Sequence, residues 1–364
     1  MRLLYIYRYS ILGGVSTQLA NRLTFLKEEA EPHFAFLEDH GGRTAFGGYP
    51  HTYIMASSRE LTRLIRDHAF DMILVIDTPE AYKALAAAEY DGKVINEVHT
   101  TTANLKYLKE IGDQRIDAFL APSAYLVERI EGEFGFGGRV PCYCTGNCVD
   151  TELFQPRVSA HKPQRRIILW VGKLDDHKNW RGFLAVAQGL MELRDDCEFW
   201  MVGGETASDE TVQEMMDLAG AYELMHRLRW IQRVEYRHMP MLYSITAASG
   251  GLSLSTSQNE SFGMTVVESM ACGCPSVGAR VGALPEVLSD ALAANLYPFF
   301  DVEAAVAVVN RLLVDGEPRE RLVELGRRKA VEEHSIPGMG RRYMNILREI
   351  RQQPQLAAVA AAGA

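Results

Sequence analysis

The chain has 364 residues, of which 47% are hydrophobic, 23% charged and 9% aromatic. That is an ordinary globular composition, and the length suits two hydrophobic cores better than one. A net charge of −9 and an isoelectric point of about 5.6 exclude a nucleic-acid binder with a broad basic face, and no run of about 18 apolar residues suggests a membrane-spanning helix.

The opening MRLLYIYRYSILGG begins like a leader peptide. Arg8 interrupts its apolar run, however, and no small-residue cleavage site follows, so residues 2–8 read as a buried first strand. Gly13-Gly14 and a helix over 15–26 come next. The pair is not a Gly-x-Gly-x-x-Gly fingerprint. It fits a turn that lets a phosphate or an acceptor approach the backbone, and it equally fits plain turn chemistry. Short apolar strands then alternate with helical stretches. Strands are predicted at HFAFLE, at 71–77, 93–99, 117–123 and 139–145, and helices at 59–68 and 80–88. Such alternation means βα units, a parallel sheet and helices on both faces. The stretch NEVHTTT puts His99 at a strand's carboxyl end beside Thr100, Thr101 and Thr102; a lone histidine there is either structural or functional.

The six cysteines are Cys142, Cys144, Cys148, Cys197, Cys272 and Cys274. Cys142-x-Cys144-x3-Cys148 lacks the second ligand pair of a zinc site, so buried thiols of a strand and its exit loop are expected. Without a secretory signal these read as reduced thiols in a cytoplasm.

Residues 155–166, QPRVSAHKPQRR, are polar with two prolines and read as a linker between a first domain, 1–155, and a second, 166–335. The alternation restarts with a strand over 166–174, a helix over 179–193 and strands at 197–204, LRWIQ and 250–257. A short helix from about 264 to 272 follows, then helices over 302–313, 319–333 and 337–351. The last of these, over 336–352, is expected to cross back to the first domain. Two doubly wound sheets would face a cleft, with ligands at the carboxyl ends of the strands.

Two loops at such strand ends carry chemistry. In VGKLDDHKN, Lys173 and Lys178 follow Gly172 and precede a helix. Two ammonium groups beside helix N–H groups suit a diphosphate; two solvated lysines are the alternative. In QNESFGMTVVESMACGCP, Glu260 precedes a turn at Phe262-Gly263 and Glu268 lies about a turn inside the next helix. One carboxylate can accept both hydroxyl protons of a ribose, and the other can hold hydroxyls of a second ring. The amides of Gly263, Met264 and Thr265 would point to an anion between them. Otherwise Glu260 is a capping acid and Glu268 a solvent-facing helix residue. Asp175-Asp176 are adjacent rather than spaced as Asp-x-Asp, so no metal is expected.

Together these segments resemble the family 4 retaining glycosyltransferases of the GT-B fold, over roughly residues 1–350. The resemblance is carried by GGV (13–15), TGNCVDTELFQP (145–156), VGKLDDHKN (171–179), ESFGMTVVESMACGCP (260–275) and VGALPEVL (281–288). It implies a two-domain, Rossmann-like α/β protein that moves a sugar, with retention, from a nucleotide-diphosphate sugar to a hydroxyl acceptor. Glu268 would hold the donor ribose and Glu260 would face the transferred sugar. Phe262, Gly263, Met264 and Thr265 would line sugar and phosphate, Lys173 and Lys178 would neutralise the leaving diphosphate, and His99 would stand near donor sugar and acceptor. Gly13, Gly14 and Gly172 would complete the binding turns. Lys173 stands where the family usually has arginine, which keeps charge but loses bidentate contact. Asn179 and Ala283 replace usual glycines, and Cys148 replaces a usual small residue.

A UDP-sugar is favoured over a GDP-sugar as donor, with no further cofactor. Another GT-B enzyme, such as a sugar-nucleotide epimerase, and a non-catalytic sugar-binding protein are the alternatives. Over residues 1–155, Lys and Arg number 15 against 21 Asp and Glu, which disfavours a broad anionic-membrane patch. The expected acceptor is soluble or small and the expected location cytoplasmic, with peripheral membrane association and oligomeric state open.

Overall fold

The run Met72–Ile76 is buried along its whole length, as a strand covered on both faces must be. Alternate side chains go to opposite sides. Leu4, Ile6, Ile73 and Val75 join one core, and Leu3, Tyr5, Met72, Leu74 and Ile76 another. Each such side chain contributes on the order of 1.5–3 kcal/mol by leaving water, an upper figure because denatured chains are partly collapsed.

The computed structural model describes residues 1–11, 13–101, 105–158, 163–314 and 316–356. Thr102, residues 159–162 of the expected linker and the last eight residues lie outside them. Two compact units are present. The first runs from Met1 to Cys148 and includes the C-terminal helix Ile336–Gln352. Its strands are β1 (Arg2–Ile11), β2 (Glu31–His40), β3 (Thr52–Ile54), β4 (Met72–Ile76), β5 (Lys93–Glu97), β6 (Ala118–Ala121) and β7 (Cys142–Cys144). They form one parallel sheet in the order β3-β2-β1-β4-β5-β6-β7. The C-terminal helix buries Met339, Tyr343, Met344, Leu347 and Ile350 in this unit. A Cβ on Gly340 would meet Phe25 of the helix Gly14–Glu29 at 2.8 Å, so the glycine permits the two helices to pack.

The second unit is Val149–Ser335. Val149 donates its N–H to the His334 carbonyl at 2.8 Å and Phe154 is fully buried in the second unit's core. Residues 149–155 therefore belong here rather than to the first domain. Its strands are β8 (Arg166–Val171), β9 (Cys197–Val202), β10 (Leu228–Ile231), β11 (Leu252–Ser255), β12 (Ser276–Ala279) and β13 (Leu296–Tyr297). All pair in parallel, in the order β10-β9-β8-β11-β12-β13.

Each sheet is doubly wound, and each reverses its winding beside its first strand, at β1/β4 and at β8/β11. Loops leaving those strands splay apart and leave a crevice at the strand ends, the usual ligand position in open α/β sheets. Cys148, Cys197, Cys272 and Cys274 are buried, but Cys142 is half-buried and Cys144 exposed. They lie on β7, an edge strand of the sheet among the described residues. No helix among the described residues is long and apolar enough to cross a membrane.

Candidate active site

In the second unit the loops after β8 and β11 flank the winding reversal and are sewn together. Asn179, at φ +51°, caps the helix Trp180–Leu193 by accepting from the Gly182 N–H at 3.1 Å. Asp175 Oδ1 accepts from the Lys178 N–H at 2.8 Å. Thr256 Oγ1 donates to the Asn179 carbonyl at 2.8 Å, and the Gln258 N–H donates to the His177 carbonyl at 2.8 Å. A Cβ on Gly172 would crowd Trp170 at 3.0 Å and the Lys178 stem at 3.1 Å.

This frame brings Lys178 Nζ to 2.6 Å from Glu260 Oε1, which Ser257 Oγ also approaches at 2.7 Å. Glu260 is buried. Burial alone would raise its pKa, but the Lys178 ammonium, the Ser257 hydroxyl and nearby His177 outweigh it and hold the carboxyl below its ordinary value. Glu260 therefore stays ionised. The second backbone contact comes from the VGALPEVL segment, where the Ala283 N–H donates to the Glu260 carbonyl at 2.9 Å. Gly282, at φ +51°, allows this: a Cβ there would lie 2.2 Å from that carbonyl oxygen. Lys173 stands in the same loop as Lys178 but is exposed, with no ion pair among the described residues.

Past Glu260, Gly263 adopts φ +101° and opens the helix Met264–Ala271. Phe262 is buried and meets the His334 ring edge-on at 5.2 Å, while Met264 and Thr265 are half-buried in the first helical turn. Glu268 is buried, so it is not a solvent-facing helix residue. Its Oε2 accepts from the Tyr243 hydroxyl at 3.3 Å. Burial pushes its pKa up to about 8, against the smaller opposing effect of the Tyr236 and Tyr243 hydroxyls. The two glutamates eight residues apart thus have opposite electrostatics: one paired with a lysine and ionised, the other paired with no cation among the described residues and protonated at neutral pH.

In the first unit, Gly13 and Gly14 lie at the start of the helix Gly14–Glu29. Gly13 is extended, and neither position would crowd an added Cβ, so the local backbone does not demand glycine at either. His99 is buried just beyond β5. Its Nε2 lies 2.7 Å from Glu97 Oε1, which also accepts from Arg22 Nη1 at 2.5 Å. Arg22 and Glu97 are both fully buried. Burial would raise the Glu97 pKa, but Arg22 and His99 bring it down to about 2. Asp77, at the end of β4, accepts from the main-chain N–H of His99 at 3.1 Å and of Thr100 at 2.9 Å, and from the Tyr107 hydroxyl at 3.1 Å. Burial raises its pKa to about 6 despite those bonds.

The structure thus brings Lys178 and Glu260 into contact, places Lys173 and Glu268 on the loop and helix adjoining them, and locates His99, Gly13 and Gly14 in the other unit. The sequence reading missed Arg22, Asp77, Glu97, Ser257, Tyr236, Tyr243 and Gly282. A charged residue inside the buried strand KVINEVH was a usable signal for Glu97; nothing local marks Tyr243.

One group among the described residues has metal-ligand character: Glu31, His33 and His51. Its donors are already engaged. Glu31 holds Arg2 at 3.0 Å and His33 Nε2 at 3.0 Å, and His33 Nδ1 meets the Tyr53 hydroxyl at 3.1 Å. The His33 and His51 rings are stacked 4.2 Å apart, so their in-plane lone pairs do not converge on one ion.

Residues 152–329 match the family described as glycosyl transferases group 1. A D-inositol 3-phosphate glycosyltransferase of Thermobifida fusca is 28% identical over 221 residues, 56% of this chain and 49% of that protein. The MMP alpha-(1->4)-mannosyltransferase of Mycolicibacterium hassiacum is 32% identical over 185 residues, 50% of this chain and 42% of that protein. The chain spans about half the length of these curated relatives. Among solved structures, Anabaena Alr3699/HepE in complex with UDP and glucose superposes with a TM-score of 0.80 at 15% identity, covering 96% of this chain and 100% of that one. With its two parallel α/β sheets the chain has the GT-B fold of the glycosyltransferases, and the match to glycosyl transferases group 1 lies in residues 152–329, which make up most of the second unit.

Proposed function

We propose that the protein is a retaining glycosyltransferase of the family 4 type that moves a sugar from a nucleoside diphosphate sugar to a hydroxyl acceptor without a metal ion. The observation that carries this reading is the ion pair between half-buried Lys178 and buried Glu260 at the β8/β11 winding reversal, beside a helix N-terminus opened by Gly263.

Transfer needs negative charge stabilised on the departing diphosphate. Lys178 and Lys173 supply full positive charges, and the first-turn amides of the helix Met264–Ala271 add fixed partial ones. Glu260 is ionised and faces the hydroxyls of the transferred sugar. Glu268, with Tyr243 beside it, receives the ribose hydroxyls, and the backbone at Gly172, Phe262, Gly263, Met264 and Thr265 lines sugar and phosphate. His99 acts near the donor sugar and the acceptor, with Gly13 and Gly14 leaving backbone open to the substrates. On departure the glycosidic C–O bond to the β-phosphate breaks, the acceptor oxygen bonds the anomeric carbon on the same face, and the acceptor proton passes to the leaving phosphate.

UDP is the favoured nucleotide, in keeping with the UDP and glucose bound by the Anabaena neighbour. The acceptor is a small or soluble hydroxyl compound, and the protein works in the cytoplasm. A thermal-shift screen of UDP- and GDP-sugars in the presence of a chelator, followed by product mass with candidate acceptors, tests this. A nucleoside diphosphate sugar should stabilise the protein and yield an acceptor heavier by one glycosyl residue. Hydrolysis or epimerisation of the donor without an acceptor, or loss of activity on chelation, would contradict it.

A further inference from the structure

We propose that Glu97 is a positioning residue that holds the His99 imidazole with its hydrogen on Nε2, leaving Nδ1 as the nitrogen open to a substrate hydroxyl. This rests on the reading of His99 as an active-site residue.

An ionised carboxylate only accepts hydrogen bonds. Glu97 stays ionised because the Arg22 guanidinium lies against Oε1 and the Tyr343 hydroxyl lies 3.4 Å from Oε2. His99 Nε2, 2.7 Å from the same Oε1, must therefore be the donor. In the neutral ring that leaves Nδ1 without a hydrogen, and nothing among the described residues hydrogen-bonds it. The main chain is fixed as well, since Asp77 accepts from the N–H groups of His99 and Thr100. Ring and backbone are held by separate carboxylates.

Stability does not account for the device. A buried ion pair is often no better than apolar side chains of similar volume, because desolvation cancels the attraction. Arg22 and Glu97 are fully buried, with the guanidinium stacked over the Tyr343 ring at 4.6 Å. Apolar replacements would fill the same space. They could not select a tautomer.

The test uses two double variants, so that no lone charge is left buried. Arg22→Met with Glu97→Leu removes the acceptor; Arg22→Met with Glu97→Gln keeps an amide oxygen for Nε2–H. Nitrogen-15 shifts of the His99 ring report the tautomer, and steady-state kinetics report kcat and KM. The wild-type ring should carry hydrogen on Nε2. The Leu variant should show both tautomers and lose kcat on the order of a hundredfold with the donor KM nearly unchanged. The Gln variant should recover the tautomer and most of kcat. Hydrogen on Nδ1 in the wild type, or an unaltered tautomer or kcat in the Leu variant, overturns the proposal. His99→Ala separates the two readings. Full activity in that variant overturns the active-site role of His99 and with it the catalytic consequence, while the ring shifts still decide whether Glu97 sets the tautomer.

Discussion

Glu268 lies in the helix that follows Glu260, yet no cation among the described residues pairs with its carboxyl, so burial dominates and its pKa rises to about 8. The folded protein thus holds a proton that an unfolded glutamate releases near its ordinary value of 4.5. The stability this contributes is full below that value and is lost as pH rises toward about 8. Glu268→Gln should therefore flatten the fall in the second unit's stability between those limits, measured by urea unfolding at a series of pH values. Binding a ribose diol to the carboxylate form requires release of that proton, so nucleotide affinity should increase from pH 6 to pH 8 in the wild type and be pH-insensitive in Glu268→Gln. Calorimetry in buffers of different ionisation enthalpy would count the proton; an uptake of protons on binding would contradict the assignment. Glu260 is the reverse case, held ionised by Lys178. Glu260→Gln should cut kcat on the order of 10²–10³ and leave UDP affinity within a few-fold, because the carboxylate faces the sugar and not the nucleotide.

At the scale of elements, two glycines hold the geometry that those side chains need. Gly263 is left-handed at φ +101°, and an added Cβ would come to 2.6 Å from Leu284. Gly263→Ala should destabilise the second unit by roughly 1–3 kcal/mol and weaken nucleotide binding, since the strain sits at the start of the helix that carries Glu268. Gly340 governs helix packing in the first unit, where a Cβ would strike Phe25. Gly340→Ala should cost roughly 1–3 kcal/mol in the first unit's unfolding without changing the nucleotide affinity of the second. The Glu-x7-Glu segment was legible in the sequence because its chemistry is local: a glycine turn, a short helix and a Gly-x-Pro stop lie within 18 residues. The acids of the first unit were not. Glu97 is ionised because Arg22 meets it from a helix 75 positions away, and Asp77 matters because the chain beyond β5 folds back over it. Such partners are set by tertiary packing, which no local spacing encodes.

For the molecule as a whole, the alternation of apolar strands and helices specified two doubly wound parallel sheets, since runs such as Met72–Ile76 are apolar at every position. β3, β12 and β13, with three, four and two residues, escaped the sequence reading, and the small residues Ser276, Gly278 and Ala279 leave β12 without an apolar run. The boundary between the units lies seven residues before the expected one because Val149 and Phe154 stand isolated among polar residues, and only their packing in the second core decides. The winding order could not be read at all, yet it is what sets the loops after β8 and β11 at a crevice. The central claim, that lysines and helix amides of the second unit receive a nucleoside diphosphate without a metal, is tested most directly by titrating UDP, UMP and uridine into chelator-treated protein, wild type and Lys173→Ala/Lys178→Met. The account predicts that UDP binds the wild type at least about tenfold tighter than uridine and that the double variant loses this advantage; equal affinities in the wild type, or UDP binding that appears only with a divalent cation, would contradict it.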